Sequence, residues 1–213
     1  MELFNNWNFW LSLITGLVAV IALVLTFIQI RLSNKQSLFN RRLECYVKID
    51  GLMELYKENQ KLLEKDRKDE PVFAVDLEFL CLTNNTYLEE ISEAIKNPLE
   101  NPGQKKLLTK LEELKKLASE VDMIFKGTKK SDISFFILSY EQLLFKMYQY
   151  KILLDGLHKY SEQYHATLED AQKALNEPNE RKELLNAFSK LKEAYSRVEK
   201  NNSMERLKKQ IQL

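Results

Sequence analysis

Residues 9–30 read FWLSLITGLVAVIALVLTFIQI, and Arg31 follows directly. No residue from Leu3 to Ile30 carries a charge. Wound as a helix rising 1.5 Å per residue, the stretch is about 33 Å long, enough to cross a hydrocarbon core of about 30 Å. Trp7 and Trp10 stand where an interfacial aromatic belt belongs. A cleaved signal peptide would want a basic start, a shorter apolar core and a small-residue exit. Here the start carries Glu2 and the apolar core runs on to Arg31, so the expected element is a retained single span. Arg31, Lys35, Arg41, Arg42 and Lys48 follow it, whereas no Lys or Arg precedes it. The positive-inside rule then places the N-terminus outside and the rest of the chain in the cytoplasm, where Cys45 and Cys81 stay reduced. The expected organisation is a transmembrane segment at 1–31 and a cytoplasmic helical bundle at 32–213.

The polar residues of the span are not scattered. Asn5, Asn8, Ser12, Thr15, Ala19, Ala22, Thr26, Gln29, Ser33, Gln36 and Asn40 follow one another at alternating steps of three and four. They form one helical stripe with a period of about 3.5 residues, every member small or uncharged-polar. Between Leu11 and Ile30 the positions off the stripe are large and apolar except Gly16. Lipid tails reward large apolar groups and penalise hydroxyls and amides. The stripe therefore suits a neighbouring helix, which small residues let approach closely, or a wet lumen shared by several copies. A lone anchor with a chance alignment is the plain alternative. A lining of Ser, Thr, Ala and Gln carries no charge, so any pore would discriminate weakly between ions.

The rest of the 213 residues is helical in composition. Glycine numbers only 5 and proline 4, while 30% of residues are charged, which disfavours β, collagenous and disordered chains. A net charge of +1 disfavours a globally basic nucleic-acid binder. Two cysteines are too few for a disulfide framework, and two histidines leave little for a metal site. No cofactor is expected. No proline occurs before Pro71, so the first helix continues past the membrane through Leu38, Leu43, Tyr46, Leu52, Leu55 and Leu62, with Ser33-Asn34 and Gly51 as soft points. Asp69-Glu70-Pro71 marks a stop. A second helix is predicted over 72–96, with Thr83-Asn84-Asn85-Thr86 able to interrupt it. A third runs from the Asn101-Pro102 start to Lys126, with Gly127 as its terminator. A fourth spans 132–175 behind caps at Ser131 or Asp132, and a fifth follows Asn179. The fold class is thus all-α, with about five helices in the bundle and a polar, fraying last dozen residues.

The fourth helix carries an apolar stripe of Phe136, Tyr140, Leu143, Met147, Tyr150, Leu154, Leu157, Tyr164, Leu168, Ala171 and Leu175. Aromatics at this spacing belong to a core rather than to a base-stacking platform. P-loop, Rossmann, nucleophile-elbow and CxxC patterns are absent from the sequence. Glu162-Gln163-Tyr164-His165 has di-iron E-x-x-H spacing, but the second copy that such a site needs cannot exist with both histidines on one helix. Lys151, His158 and His165 remain, spaced by seven along one edge of the apolar stripe. A histidine exchanges protons near neutral pH, and a cation two turns away can hold phosphate; the pair is the minimum for metal-free RNA cleavage. The plain alternative is a boundary histidine that bonds a neighbouring helix.

Lys151-Ile-Leu-Leu-Asp-Gly-Leu-His158 reads K-x6-H and resembles the R-x(4-6)-H pattern that HEPN bundles carry on a long helix. It departs from that pattern in having lysine for arginine, which keeps the charge and loses the bidentate phosphate contact. A HEPN-like bundle behind an N-terminal span resembles the small membrane accessory proteins of type VI-B CRISPR systems. That resemblance implies a ring-like homo-oligomer in the bacterial inner membrane. It also implies membrane permeabilisation that enhances antiphage defence by an RNA-guided, RNA-cleaving effector, with no working ribonuclease site at Lys151 and His158. On this reading Asn8, Ser12, Thr15, Ala19, Ala22, Thr26 and Gln29 line a passage or pack helices, and no metal is bound. The partners are further copies of the chain and the lipid bilayer; direct nucleic-acid binding is not expected. A membrane-tethered HEPN-type ribonuclease and a membrane-anchored adaptor are the competing functions.

Overall fold

The first helix does not stop where the apolar segment stops. In the computed structural model, which describes residues 7–63, 70–100, 102–125 and 132–211, α1 runs unbroken from Trp7 to Leu63. Neither Ser33-Asn34 nor Gly51 interrupts it. The chain divides into two units, Met1–Leu43 and Glu44–Leu213. In the first, every described residue from Trp7 to Leu38 is exposed. The second begins at Glu44, and its first buried residue is Cys45, fifteen positions beyond Ile30. The buried residues of α1 are Cys45, Ile49, Leu52, Met53, Leu55, Tyr56 and Leu63. The helix continues through the expected leucines, of which Leu52 and Leu55 are buried while Leu38 and Leu43 are exposed.

Every regular element among the described residues is helical. After α1 come α2 (Val75–Thr83), a 3₁₀ helix (Glu89–Ile95), α3 (Gly103–Ile124), α4 (Asp132–Tyr164), α5 (Leu168–Ala174), α6 (Glu177–Lys200) and α7 (Ser203–Ile211). α4 is the axis of the second unit. Its Phe136, Ile137, Tyr140, Leu143, Leu144 and Met147 are fully enclosed, and α3 and α6 pack along it. Tyr56 of α1 meets Phe136 at 6.4 Å and Tyr195 of α6 at 4.7 Å between ring centroids. Tyr140 donates to the Leu82 carbonyl at 2.7 Å, and complete burial holds its phenol well above the usual value. Phe136 and Tyr140 are core.

Three predicted helices break into pieces, which gives more helices than the expected five. The 72–96 helix gives way at Asn85, whose Oδ1 accepts from the amides of Tyr87 and Leu88. An Asx turn of this kind offers the backbone an alternative to helix, so only the 3₁₀ segment forms beyond it. The 132–175 helix ends at Tyr164, not at Leu175. His165 adopts a left-handed φ of 50°, Ser161 Oγ donates to the Ala166 carbonyl, and the Thr167 side chain accepts from the Asp170 amide to start α5. Tyr164 and Leu168, expected on the apolar stripe, are consequently exposed. α6 is flanked by Asn176 at φ 56°, three residues before the expected cap, and carries Pro178 in its first turn. The Asn101, Ser131 and Gly127 signals, and Asp69, lie outside the described residues.

Residues 202–211, expected to fray, also depart from expectation. Asn202 turns the chain with φ 48°, and α7 returns with Leu207 and Ile211 buried. Asn201 Nδ2 and Ser203 Oγ both donate to Asp132 Oδ2, at 2.8 and 3.3 Å, pinning the junction to the start of α4. Leu207→Ala should cost about 2–4 kcal/mol in urea unfolding. Amide exchange should find residues 203–211 protected in the parent chain. Unprotected amides there, with no loss of stability in the variant, would mean a frayed tail.

Candidate functional site

The stripe survives in three dimensions as one continuous face. Asn8, Ser12, Thr15, Ala19, Ala22, Thr26 and Gln29 lie on one side of α1 and are exposed; Asn5 lies outside the described residues. The other sides carry Leu17, Val20, Leu23, Leu25 and Phe27, each more than half exposed. Outside a membrane or an assembly, such an area of apolar surface would be strongly disfavoured. α1 contains a stretch long and apolar enough to cross a membrane, none of it buried within the chain.

Two hydroxyls of the stripe are bonded within α1 itself. Thr15 Oγ1 donates to the Leu11 carbonyl and Thr26 Oγ1 to the Ala22 carbonyl, each at 2.8 Å. Back-bonding to i−4 satisfies the donor inside the helix and lowers the cost of an apolar environment. It also leaves the threonine methyl groups and Ala19 and Ala22 as a low-relief surface. Such a surface favours close helix approach by shape more than by hydrogen bonding across a contact. Within the apolar segment Gln29 is the largest amide of the stripe and costs most against lipid.

Lys151 and His158 do not share a cleft. Lys151 is held by Asp155 Oδ1 at 3.0 Å and Asp76 Oδ2 at 3.1 Å, joining α4 to α2. Burial alone would lower its pKa, but the hydrogen bonds to Asp155 and Asp76 outweigh burial and raise it, so the ammonium stays charged and is compensated by two carboxylates. His158 is exposed and pairs with Glu162 Oε1 at 3.2 Å on its own helix, rather than with a neighbouring one. His165 sits in the bend that ends α4 and is exposed. Among the described residues no group of three or more His, Cys, Asp or Glu is arranged to hold a metal ion.

One polar junction escaped the sequence reading. Glu177, the first residue of α6, is completely buried. Its Oε1 accepts from the Tyr150 hydroxyl and lies 3.5 Å from Arg181 Nε, while the Val72 amide donates to the same Tyr150 oxygen at 3.1 Å. Burial first, and then the Glu177 carboxylate, push the Tyr150 phenol far above its ordinary value, so it remains a donor. The junction ties the approach to α2, the middle of α4 and the start of α6. In the sequence Glu177 is only one of 31 acidic residues, inside an Asn-Glu-Pro helix boundary, and nothing local marks it as buried. No protein family, curated protein or solved structure compared with this chain matches it, so the assignment of a site rests on its own residues.

Proposed function

We propose that this chain is a homo-oligomeric membrane effector that permeabilises the bilayer crossed by α1. The observation that carries the reading is the uncharged, low-relief stripe from Asn8 to Gln29 on an otherwise large-apolar helix. Copies of α1 associate through that face, and with about six copies or more the stripe surrounds a wet lumen rather than a dry seam. The basic residues after Ile30 orient the span with the helical unit in the cytoplasm of a bacterial inner membrane. There the bundles, HEPN-like in their K-x6-H helix, form the ring that gates the passage. The link to antiphage defence alongside an RNA-guided, RNA-cleaving effector rests on the resemblance in layout and on the Lys151–His158 spacing alone.

The deciding experiment is the mass of the full-length protein in detergent. About six copies or more support the ring, and conductance measurements follow. A dimer supplies too few helices for a lumen and favours the membrane-tethered HEPN-type ribonuclease, with His158 of two copies meeting at a cleft. A monomer leaves an anchored adaptor. On the proposed reading the purified protein cleaves no RNA and His158→Ala changes nothing; robust cleavage that disappears in that variant overturns it.

A further inference from the structure

We propose that Arg31 and Lys35 form a binding site for the phosphate of an anionic phospholipid headgroup, on the outer, lipid-facing side of the α1 assembly. The inference rests on α1 being a membrane span. Phe27, Ile30, Arg31, Asn34, Lys35 and Leu38 line a shallow groove on one side of α1. The groove is apolar towards the span, where Phe27 and Ile30 lie, and cationic where the span ends. Arg31 and Lys35 are one turn apart, so their Cβ atoms stand about 5–6 Å from each other and both long side chains reach a single phosphate. The arginine fork suits two phosphate oxygens, and the ammonium adds a point charge.

Two further features select this occupant. Both cations are exposed, and no carboxylate occurs on the helix from Phe9 until Glu44, so this stretch of α1 itself holds no group to neutralise them. By contrast, Lys110 and Lys151 are each held by two carboxylates. In addition, the helical positions of Phe27, Arg31, Lys35 and Leu38 are turned away from Ser33, Gln36 and Gln29 of the polar stripe. If the stripe faces other copies, the basic pair faces the surrounding lipid at the depth of the headgroups. Contact with an anionic leaflet would then hold each helix at a fixed depth and keep the stripe in register between copies.

The test uses full-length protein in detergent micelles, with lipid retention read by native mass spectrometry. Phosphatidylglycerol, phosphatidylcholine and inorganic phosphate are the three probes. Phosphatidylglycerol should be retained in preference to phosphatidylcholine, and inorganic phosphate should not compete, because the groove also takes the acyl chain. Arg31→Gln with Lys35→Gln should weaken retention about fivefold for each charge removed. Lys192→Gln with Lys208→Gln, remote in the chain and equally basic, should leave it unchanged. Equal retention by the Arg31/Lys35 variant, or equal loss in the remote variant, overturns the site. Competition by inorganic phosphate reassigns it to a free anion and also overturns the lipid proposal. Alkaline extraction of the parent protein from vesicles separates the two layers of inference. Full release sinks the span, whereas resistance to release together with unselective lipid retention sinks only the headgroup site.

Discussion

Ala22→Leu is expected to break the assembly and with it any permeabilisation, while Val24→Leu leaves both nearly intact. Both changes add side-chain volume to the same stretch of α1. Ala22 sits in the low-relief stripe, beside the Thr26 hydroxyl that donates to its carbonyl. Val24 sits among the large apolar residues on the other side. Where a neighbouring helix approaches closely, an added isobutyl group overpacks the contact at about 1–3 kcal/mol per copy. At Val24 the change adds a single carbon, and lipid tails rearrange around it. The difference should appear as a fall in mass in detergent and at least a roughly tenfold loss of dye release from vesicles for Ala22→Leu. Equal effects at the two positions would remove the stripe as an interface and leave only an anchor.

The second large effect belongs to the buried junction. Tyr150→Phe removes one hydroxyl and with it two interactions, the donor to Glu177 Oε1 and the acceptor for the Val72 amide. Phenylalanine fills almost the same volume, so the cost is that of unsatisfied groups rather than of a cavity. A lost hydrogen bond to a buried charge and an orphaned amide together amount to about 3–5 kcal/mol. Against a total stability of about 5–15 kcal/mol this is a large share. At about 2–4 °C per kcal/mol, the melting temperature of the full-length protein in detergent should fall by roughly 10 °C. Tyr164→Phe, exposed at the end of α4, should move it by less than about 2 °C. If the two variants melt together, the Glu177 junction does not hold the helices as described.

The features readable in advance are those that depend on neighbours along the chain. The uncharged segment ending at Ile30, the three–four stripe and the proline-free run along α1 are periodic or compositional, and helix periodicity expresses itself wherever the chain is helical. The Asn85 interruption was readable as a possibility, because a side-chain cap competes locally with the helix ladder. Whether it prevails depends on the burial of Leu88 and Ile91 around the new turn. The candidate site divides in the same way. The residues of the stripe are found from spacing alone, but the inward bonds of Thr15 and Thr26 are a matter of rotamer and appear only in the folded helix.

Other features could not be read locally, since each depends on residues far apart in sequence. α7 is polar enough to fray, yet Asp132 at the opposite end of α4 receives Asn201 and Ser203, and Leu207 and Ile211 find a core. The outward turn of His158 and the capture of Lys151 by Asp76 follow from where α2 lies against α4, which no spacing on α4 encodes. Glu177 looks like any surface carboxylate at a helix start until Tyr150 and Arg181 close around it. A helix's faces are set by its own period, so they can be counted along the chain. Which face is buried, and which charge finds a partner there, is set by the other helices, and it is decided only when the chain has folded.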